Sequence, residues 1–393
     1  MLRDLGWLLH PVARDTFFAD HHERAILHVR GRRRDRYSRL FSVRTLEKLL
    51  WLREAELPRI LGVVREGERL SPPRGARSLR NWALDEQRRG ATLVVDDLGA
   101  ASLAITRLEG RLLPELGGMT TSAYWSPPRA RGLHAHFDNH DVMVLQVAGS
   151  KTWSTYGEGL VKLPLSTQQR PIDDATLRRR PRTFALRAGD LLYLPRGVIH
   201  RAISGDETSL HLTMAAMPTL WVDVLIEVLQ IAAERDVALR RAAPLLEARR
   251  AVDPTPGRAL YTLLESIDKR AVEVAWSQLR HRLFASVRRL PGRDDRTLRA
   301  DAPLAVRDLV QRRPDIPSHV GPVGDGVGIS VPGLSAGGLA AISGPAWLEP
   351  AMRFIVSSDG AFAIGALPGR ISDETKLALV GRLVREGFLR RLP

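Results

Sequence analysis

The pattern of apolar and polar positions divides the 393-residue chain into four regions. Over residues 1–90, helical stretches alternate with basic loops. The stretch SVRTLEKLLWLREAEL opens on Ser42, a favourable N-cap, and spaces Leu46, Leu49, Leu50 and Leu52 near a helical repeat. From 91 to 217 the chain turns to short β-type runs bounded by Gly, Pro and Asp: ATLVVDD, VMVLQVA, KTWSTYG, RTFAL, DLLYLP, HRAIS and SLHLTMAA. Short strands at close spacing predict a β-sandwich or barrel. Residues 218–300 read as helices. TLWVDVLIEVLQIAAERD sets Leu220, Val222, Leu225, Val228 and Leu229 on overlapping faces, and ALYTLLESI and VEVAWSQLRHRLFASV continue the theme. Apolar faces this wide need a partner, either the barrel or another subunit. Residues 301–393 form a small unit. A loop rich in Gly, Pro and Ser (GPVGDGVGISVPGLSAGG) leads to RFIVSSDGAFAIGAL, which reads as a hairpin turning at Asp359-Gly360. ISDETKLALVGRLVREG then predicts a helix with Ser372 as N-cap, Leu377, Val380 and Val384 as core, and Gly387 as its stop. Helix plus hairpin suggests a winged-helix-like module. Gly324, Gly326 and Gly328 follow no clear strand and lack a Walker lysine, so they read as plain loop.

Composition narrows the chemistry. There is no cysteine, which excludes disulfides, thiolate nucleophiles and Cys-ligated metal. No run approaches the roughly 18 apolar residues of a membrane span, and MLRDLGWLLHPVARD lacks a secretory apolar core, so a cytoplasmic protein without membrane contact is expected. The formal net charge of +15 is mostly arginine. Such a chain is drawn to RNA, the ribosome or DNA. Arginine-rich composition alone gives the same charge. The runs GRRRDRYSR and LRRRPR lack interleaved aromatics and read as solvated surface.

Two segments carry the candidate chemistry. In GLHAHFDNHDVMVLQVAGSKTW (132–153), His136 and Asp138 are alternate residues, so on a strand they project together. In AGDLLYLPRGVIHRAIS (188–204), two turns flank a strand and His200 begins the next one. Two histidines and a carboxylate on one face of a metal make the facial triad of non-haem iron(II) oxygenases, with positions left open for a bidentate cosubstrate and O2. A lone His-x-Asp is usually surface. The second segment strengthens it, because G-x5-P-x-G-x2-H-x3-S resembles the second cupin motif, with Ser204 where Asn is common. A competing register takes His134-Ala135-His136 as the first motif of other cupin enzymes, with Asp141 and His200 completing the site.

The chain resembles the cupin-like JmjC oxygenases, in particular the branch that hydroxylates ribosomal proteins. The resemblance rests on ATLVVDDL (91–98), AYWSPPRARGLHAHFDNHDVMVLQVAGSKTW (123–153), GDLLYLPRGVIHRA (189–202) and SLHLTMAA (209–216), with a looser match in RYSRLFSVRTLEKLL (36–50). It implies an α+β fold: a JmjC/cupin double-stranded β-helix (jelly-roll barrel) over 91–217, an N-terminal helical, basic region over 1–90, a helical dimerisation region over 218–300 and a winged-helix-like module over 301–393. It implies Fe(II) held by His136, Asp138 and His200, with 2-oxoglutarate and O2 as cosubstrates. Lys151 matches the residue that binds the distal carboxylate of 2-oxoglutarate, and the turn Ala148-Gly149-Ser150 resets strand parity so that this lysine points inward. Ser122, Tyr124 and Thr213 fall at pocket-lining positions, Ser122 where Asn is often seen. Trp153 reads as core and His211 as a structural histidine behind the site. The implied enzyme is a 2-oxoglutarate-dependent dioxygenase acting on a protein substrate, an Arg or His of a ribosomal protein, and forming a homodimer. Alternatives are an oxygenase of RNA or of a small peptide or metabolite, and a non-enzymatic cupin regulator that binds nucleic acid through its basic surface.

Overall fold

The computed structural model describes residues 4–158, 161–168, 171–173, 177, 180–241, 261, 264–265, 267, 269–286, 303–314, 316–331 and 341–392. The chain forms two compact units, Met1–Pro218 and Thr219–Pro393.

Among the described residues the first unit holds eleven strands: β1 (Leu27–Val29), β2 (Leu61–Arg65), β3 (Glu68–Leu70), β4 (Thr92–Val95), β5 (Gly118–Ser126), β6 (Asp141–Ala148), β7 (Ser150–Glu158), β8 (Arg182–Arg187), β9 (Leu191–Leu194), β10 (Val198–Ser204) and β11 (Ser209–Met217). Eight form one antiparallel sheet in the order β1-β9-β6-β11-β5-β4-β2-β3, and three form a second in the order β10-β7-β8. All seven runs read as strands lie within or across these elements. Residues 1–90, expected as a helical and basic region, also contribute strands. They supply β1, β2 and β3 to the larger sheet.

Period-two alternation sorts the side chains of β11. Leu210, Leu212, Met214 and Ala216 pack outward against N-terminal helices, in one core with Leu5, Phe17, Leu46, Leu50, Leu108 and Leu112. His211, Thr213 and Ala215 face the other way, into a cavity. Between the two sheets lies a second core of Val142, Val144, Trp153, Phe184, Leu186, Leu192, Leu194 and Val198. Ser42 caps the helix Val43–Leu52 by accepting from the Thr45 N–H at 3.1 Å, with Leu46, Leu49 and Leu50 buried, whereas Leu52 is exposed.

The turn between β6 and β7 has a steric requirement. Gly149 has φ +64°, and a Cβ there would lie 2.2 Å from the Thr208 carbonyl oxygen. Even-numbered residues of β6 (Val142, Val144) and odd-numbered residues of β7 (Lys151, Trp153) consequently face the same interior. The parity reset expected from the sequence is present.

The second unit departs further from the sequence reading. Helix Trp221–Arg235 packs on helix Lys269–Ser286 through Val224, Val228, Ile231, Ala271, Val274 and Ala275. Of the five residues expected on its apolar faces, only Val228 is buried, and Val222, Leu225 and Leu229 are exposed. Of the helix expected over ALYTLLESI, Tyr261, Leu264, Glu265 and Ile267 are described, the first three as helical, and the rest lie outside the described residues. The glycine-rich loop is, over its described part, a hairpin of β13 (His319–Val323) and β14 (Gly326–Ser330), which turns at Gly324-Asp325 and continues to β15 (Ile342–Gly344). RFIVS is not a strand but the end of helix Glu349–Ser357, which starts with a proline in its first turn and buries Ala351, Met352 and Ile355. The expected hairpin at Asp359-Gly360 is therefore a helix-to-strand corner. The three-stranded sheet there has the order β16-β12-β17 (Ala361–Ala363, Leu309–Arg312, Leu389–Arg391). Helix Asp373–Arg385 is capped by Ser372, buries Val380 and Val384, and is followed by Gly387 at φ +75°.

Candidate metal centre and its cavity

Residues 131–140 form no regular strand, contrary to the simple alternation argument. Alternation survives without one. Ala135 and Phe137 are buried with Tyr156 and Ile199 on one side, while His136 and Asp138 face the cavity. His136 is fixed opposite His200 by a two-bond antiparallel bridge: its N–H donates to the His200 carbonyl at 3.1 Å, and its carbonyl accepts from the His200 N–H at 2.8 Å. Directly opposed residues project to one face. The Asp138 carbonyl accepts from the Gly197 N–H at 2.9 Å, which ties the second motif to the first. Ser204, in the place of the usual Asn, donates to the Pro127 carbonyl at 2.6 Å and accepts from the Ala130 N–H at 2.8 Å, so the hydroxyl fastens the turn that leads into the site.

The outcome is a cluster of one ligand atom each from His136, Asp138 and His200, all within 4.8 Å of one another. The His200 Nε2 lies 3.6 Å and the His136 Nε2 4.0 Å from carboxylate oxygens of Asp138. The Nδ1 atoms lie 2.8 Å from the His134 carbonyl and 2.9 Å from the Val198 carbonyl. A carbonyl only accepts, so in each ring Nδ1 carries a proton and Nε2 is the atom turned to the cluster. Burial, followed by the neighbouring His136, pushes His200 down to about 4, so it is a neutral imidazole at pH 7, the form that ligates.

The competing register fails on geometry. His134 is half-exposed and lies 3.8 Å from Glu68. Asp141 is buried elsewhere, accepting from the Tyr193 hydroxyl and the Arg196 N–H at 2.9 Å each.

The triad opens into a cavity of about 390 Å³, which also takes in Ser122, Tyr124, Lys151 and Thr213. All seven residues singled out in the sequence thus line one cavity. Lys151 is 3% exposed, and its Nζ donates to the Ser126 hydroxyl at 3.0 Å, which in turn contacts the Thr92 hydroxyl at 2.9 Å. Among the described residues no carboxylate pairs with it. Burial pushes this ammonium down to about 7. A buried cation that faces a cavity with a hydroxyl and no carboxylate beside it suits an anionic ligand. Tyr124 stacks on His211 at 4.8 Å, and burial, then the Asp138 and Asp96 carboxylates, push its hydroxyl above the ordinary phenol range. Trp153, read as core, and His211, read as lying behind the site, both line the cavity, and among the described residues the His211 Nδ1 has no hydrogen-bond partner. The sequence reading missed Ser126 and Thr92, which carry the lysine, and Asp96 at the mouth. They are small or acidic residues on strand positions that carry no motif of their own.

Comparison with known proteins agrees with this geometry. Residues 110–223 match the family model of the JmjC domain. Ribosomal oxygenase 1 of Bos taurus is 32% identical over 250 residues, which cover 61% of this chain and 37% of that protein. The bifunctional lysine-specific demethylase and histidyl-hydroxylase NO66 of Drosophila erecta is 30% identical over 254 residues, 62% of this chain and 38% of that protein. The chain spans less than half the length of these relatives. The structure of YcfD, a ribosomal oxygenase from Escherichia coli, in complex with cobalt and 2-oxoglutarate superposes with a TM-score of 0.57 and 17% identity, covering 98% of this chain and 99% of that one. The chain carries a JmjC domain on a cupin-type barrel. Within that class its similarity is to the ribosomal oxygenases.

Proposed function

We propose that the protein is an Fe(II)- and 2-oxoglutarate-dependent hydroxylase of a protein side chain, an Arg or His of a ribosomal protein. The carrying observation is the pairing, in one cavity, of a two-histidine, one-carboxylate cluster with a buried lysine that lacks an anionic partner. The first suits a metal with open positions, and the second suits the far carboxylate of a dicarboxylic cosubstrate. His136, Asp138 and His200 would hold the iron, and Lys151 the distal carboxylate, with Tyr124, Ser122 and Thr213 lining the cosubstrate's bed. Iron(II) held there supplies the redox chemistry by which 2-oxoglutarate and O2 become succinate and CO2 while one oxygen atom enters a substrate C–H bond. The chain's own contribution is orientation and shielding. The carbonyl-bound Nδ1 protons fix both imidazoles, and the Trp153, Tyr124 and His211 rings wall the cavity from water.

The test is mass spectrometry of ribosomal proteins from cells with and without the enzyme. A single added oxygen on one protein, lost with the enzyme, is expected, and work on that target belongs in the cytoplasm. No changed ribosomal protein would remove this substrate class. Salt dependence of turnover on whole ribosomes, against free proteins, reads whether the arginine-rich surface contacts RNA.

The reading extends to a homodimer formed through the helical region, with the terminal helices and sheet as a winged-helix-like unit for protein contacts. Trp221, Val222, Leu225, Ile226 and Leu229 on one helix and Val272 and Trp276 on the next are all exposed, with Trp221 stacked near Trp276 at 6.0 Å. A monomer rarely leaves so many large apolar residues together. Sedimentation equilibrium should give a dimer for the parent and a folded monomer for Leu225→Glu, and a parent that is monomeric at micromolar concentration would refute the dimer.

A further inference from the structure

The strand register orders the cavity wall into rows. On the larger sheet Thr92, Ser126 and Ser209 share one level, Val94, Tyr124 and His211 the next, and Asp96, Ser122 and Thr213 the third. On the smaller sheet the cross-strand pairs are Lys151 with Ser204, Trp153 with Ala202, and Thr155 with His200. Two contacts tie the scales together. Lys151 reaches Ser126 at the first level, and the Trp153 ring meets the His211 ring at 5.5 Å at the second. By the same register His200 falls at the third level, that of Asp96 and Ser122. Two row steps are about 13 Å. The lysine end of the cavity is deep, and the metal cluster and Asp96 sit on opposite walls of its mouth.

Asp96 is held in place. Its N–H donates to the Ile60 carbonyl at 2.8 Å, and the Ser122 hydroxyl donates to its Oδ1 at 2.7 Å. Its residue is exposed, and among the described residues it has no cationic partner. The other charges of the cavity are accounted for. Asp138 belongs to the metal cluster, Lys151 to the cosubstrate, and the Arg201 guanidinium lies over the Tyr156 ring at 5.4 Å. An anion fixed at a reaction mouth with one oxygen uncommitted selects for positive charge.

We propose that Asp96 is a specificity-determining residue, whose carboxylate receives a protonated nitrogen group of the substrate side chain across the cavity from the His136-Asp138-His200 cluster. The inference rests on the oxygenase reading and adds to it a residue that chooses the side chain. Ser122, besides lining the cavity, then orients Asp96.

The experiment uses ribosomal proteins from cells lacking the enzyme, incubated with the Fe(II)-loaded full chain and 2-oxoglutarate, with modified sites mapped by mass spectrometry. The oxygen is expected on Arg, Lys or His. Asp96→Asn should lower kcat/KM at that site by roughly ten- to a hundredfold, mainly through KM, with Asp96→Glu recovering part of the loss. Binding of 2-oxoglutarate to the cobalt-loaded chain, measured in parallel, should persist in both variants. An oxygen placed on a side chain without a basic nitrogen, or an Asp96→Asn enzyme as fast as the parent, overturns the proposal and leaves the oxygenase reading standing. Loss of 2-oxoglutarate binding in Asp96→Asn also overturns it, because Asp96 would then serve the cosubstrate. A parent chain that binds no 2-oxoglutarate and oxidises nothing removes both.

Discussion

Replacing His200 with alanine is expected to strip iron from the protein and abolish oxygen-dependent turnover, while a neighbouring replacement, His134→Ala, leaves both intact. Losing a partner that merely orients a ligand typically costs 10–100-fold in metal affinity, and losing one of three ligands should cost more. The expected drop in Fe(II) affinity is therefore at least about a hundredfold, with turnover below detection. Stability should move little by comparison. The ring is buried against Trp153 at 5.6 Å, so its loss opens space, but it also removes a polar group whose burial disfavours charge. Metal content after dialysis, read beside the unfolding midpoint, separates the two effects. The contrast with His134 matters because both histidines sit in one H-x-H and only spatial direction distinguishes them. His134 points at Glu68, whereas His136 joins the cluster. Metal lost from His134→Ala and kept in His136→Ala would falsify the proposed ligand set and revive the other cupin register.

The site was more legible than the fold around it. His136, Asp138, His200 and Lys151 fall in two short segments whose Gly and Pro turns are steric requirements, as Gly149 against Thr208 demonstrates. Such requirements write themselves into sequence. β5 was not read as a strand, although it forms the cavity floor. Its run GMTTSAYWS turns Ser122, Tyr124 and Ser126 inward, toward a polar cavity instead of an apolar core, so the expected hydrophobic face is partly hydroxylated. Periodicity looks for burial in oil, and a strand that lines an active site violates it for functional reasons. The same cause hid Asp96, which is a cavity residue only because β4 lies beside β5.

Errors in the second unit have a different origin. RFIVS is too short to show a period and is rich in β-branched residues, so it reads as a strand. The helix is announced upstream, by Glu349-Pro350 in its first turn. The helix Trp221–Arg235 is apolar on nearly all sides, and pattern alone cannot say which face an intramolecular neighbour takes. Packing chose Val224, Val228 and Ile231, and left Leu225 and Leu229 exposed.

Lys151→Met is expected to weaken 2-oxoglutarate binding by at least about a hundredfold while leaving the fold as stable as the parent or more so. Both halves follow from burial. A carboxylate delivered to a buried site without its cation loses several kcal/mol, of order 3–5. In the ligand-free protein the same cation is a burden. It is 3% exposed, is bonded to a hydroxyl and no carboxylate, and is pushed down to about 7 from an ordinary value near 10.5. The unfolded chain therefore binds more protons between those values, and the lysine makes stability rise with pH over about 7 to 10.5. Lys151→Met should remove that slope. The pH dependence of binding has the opposite sign. Below about 7 the ammonium is already formed, and above it each 2-oxoglutarate bound must bring a proton with it, so affinity should fall by up to tenfold per pH unit. Calorimetry in buffers of different ionisation enthalpy would show proton uptake near pH 8 in the parent and none of this origin in Lys151→Met. An affinity that stays level from pH 6 to 9 would mean that some other group receives the distal carboxylate, and a Lys151→Met protein that unfolds more easily would mean that the ammonium is structural. The two outcomes are independent, because the first reads the filled cavity and the second the empty one.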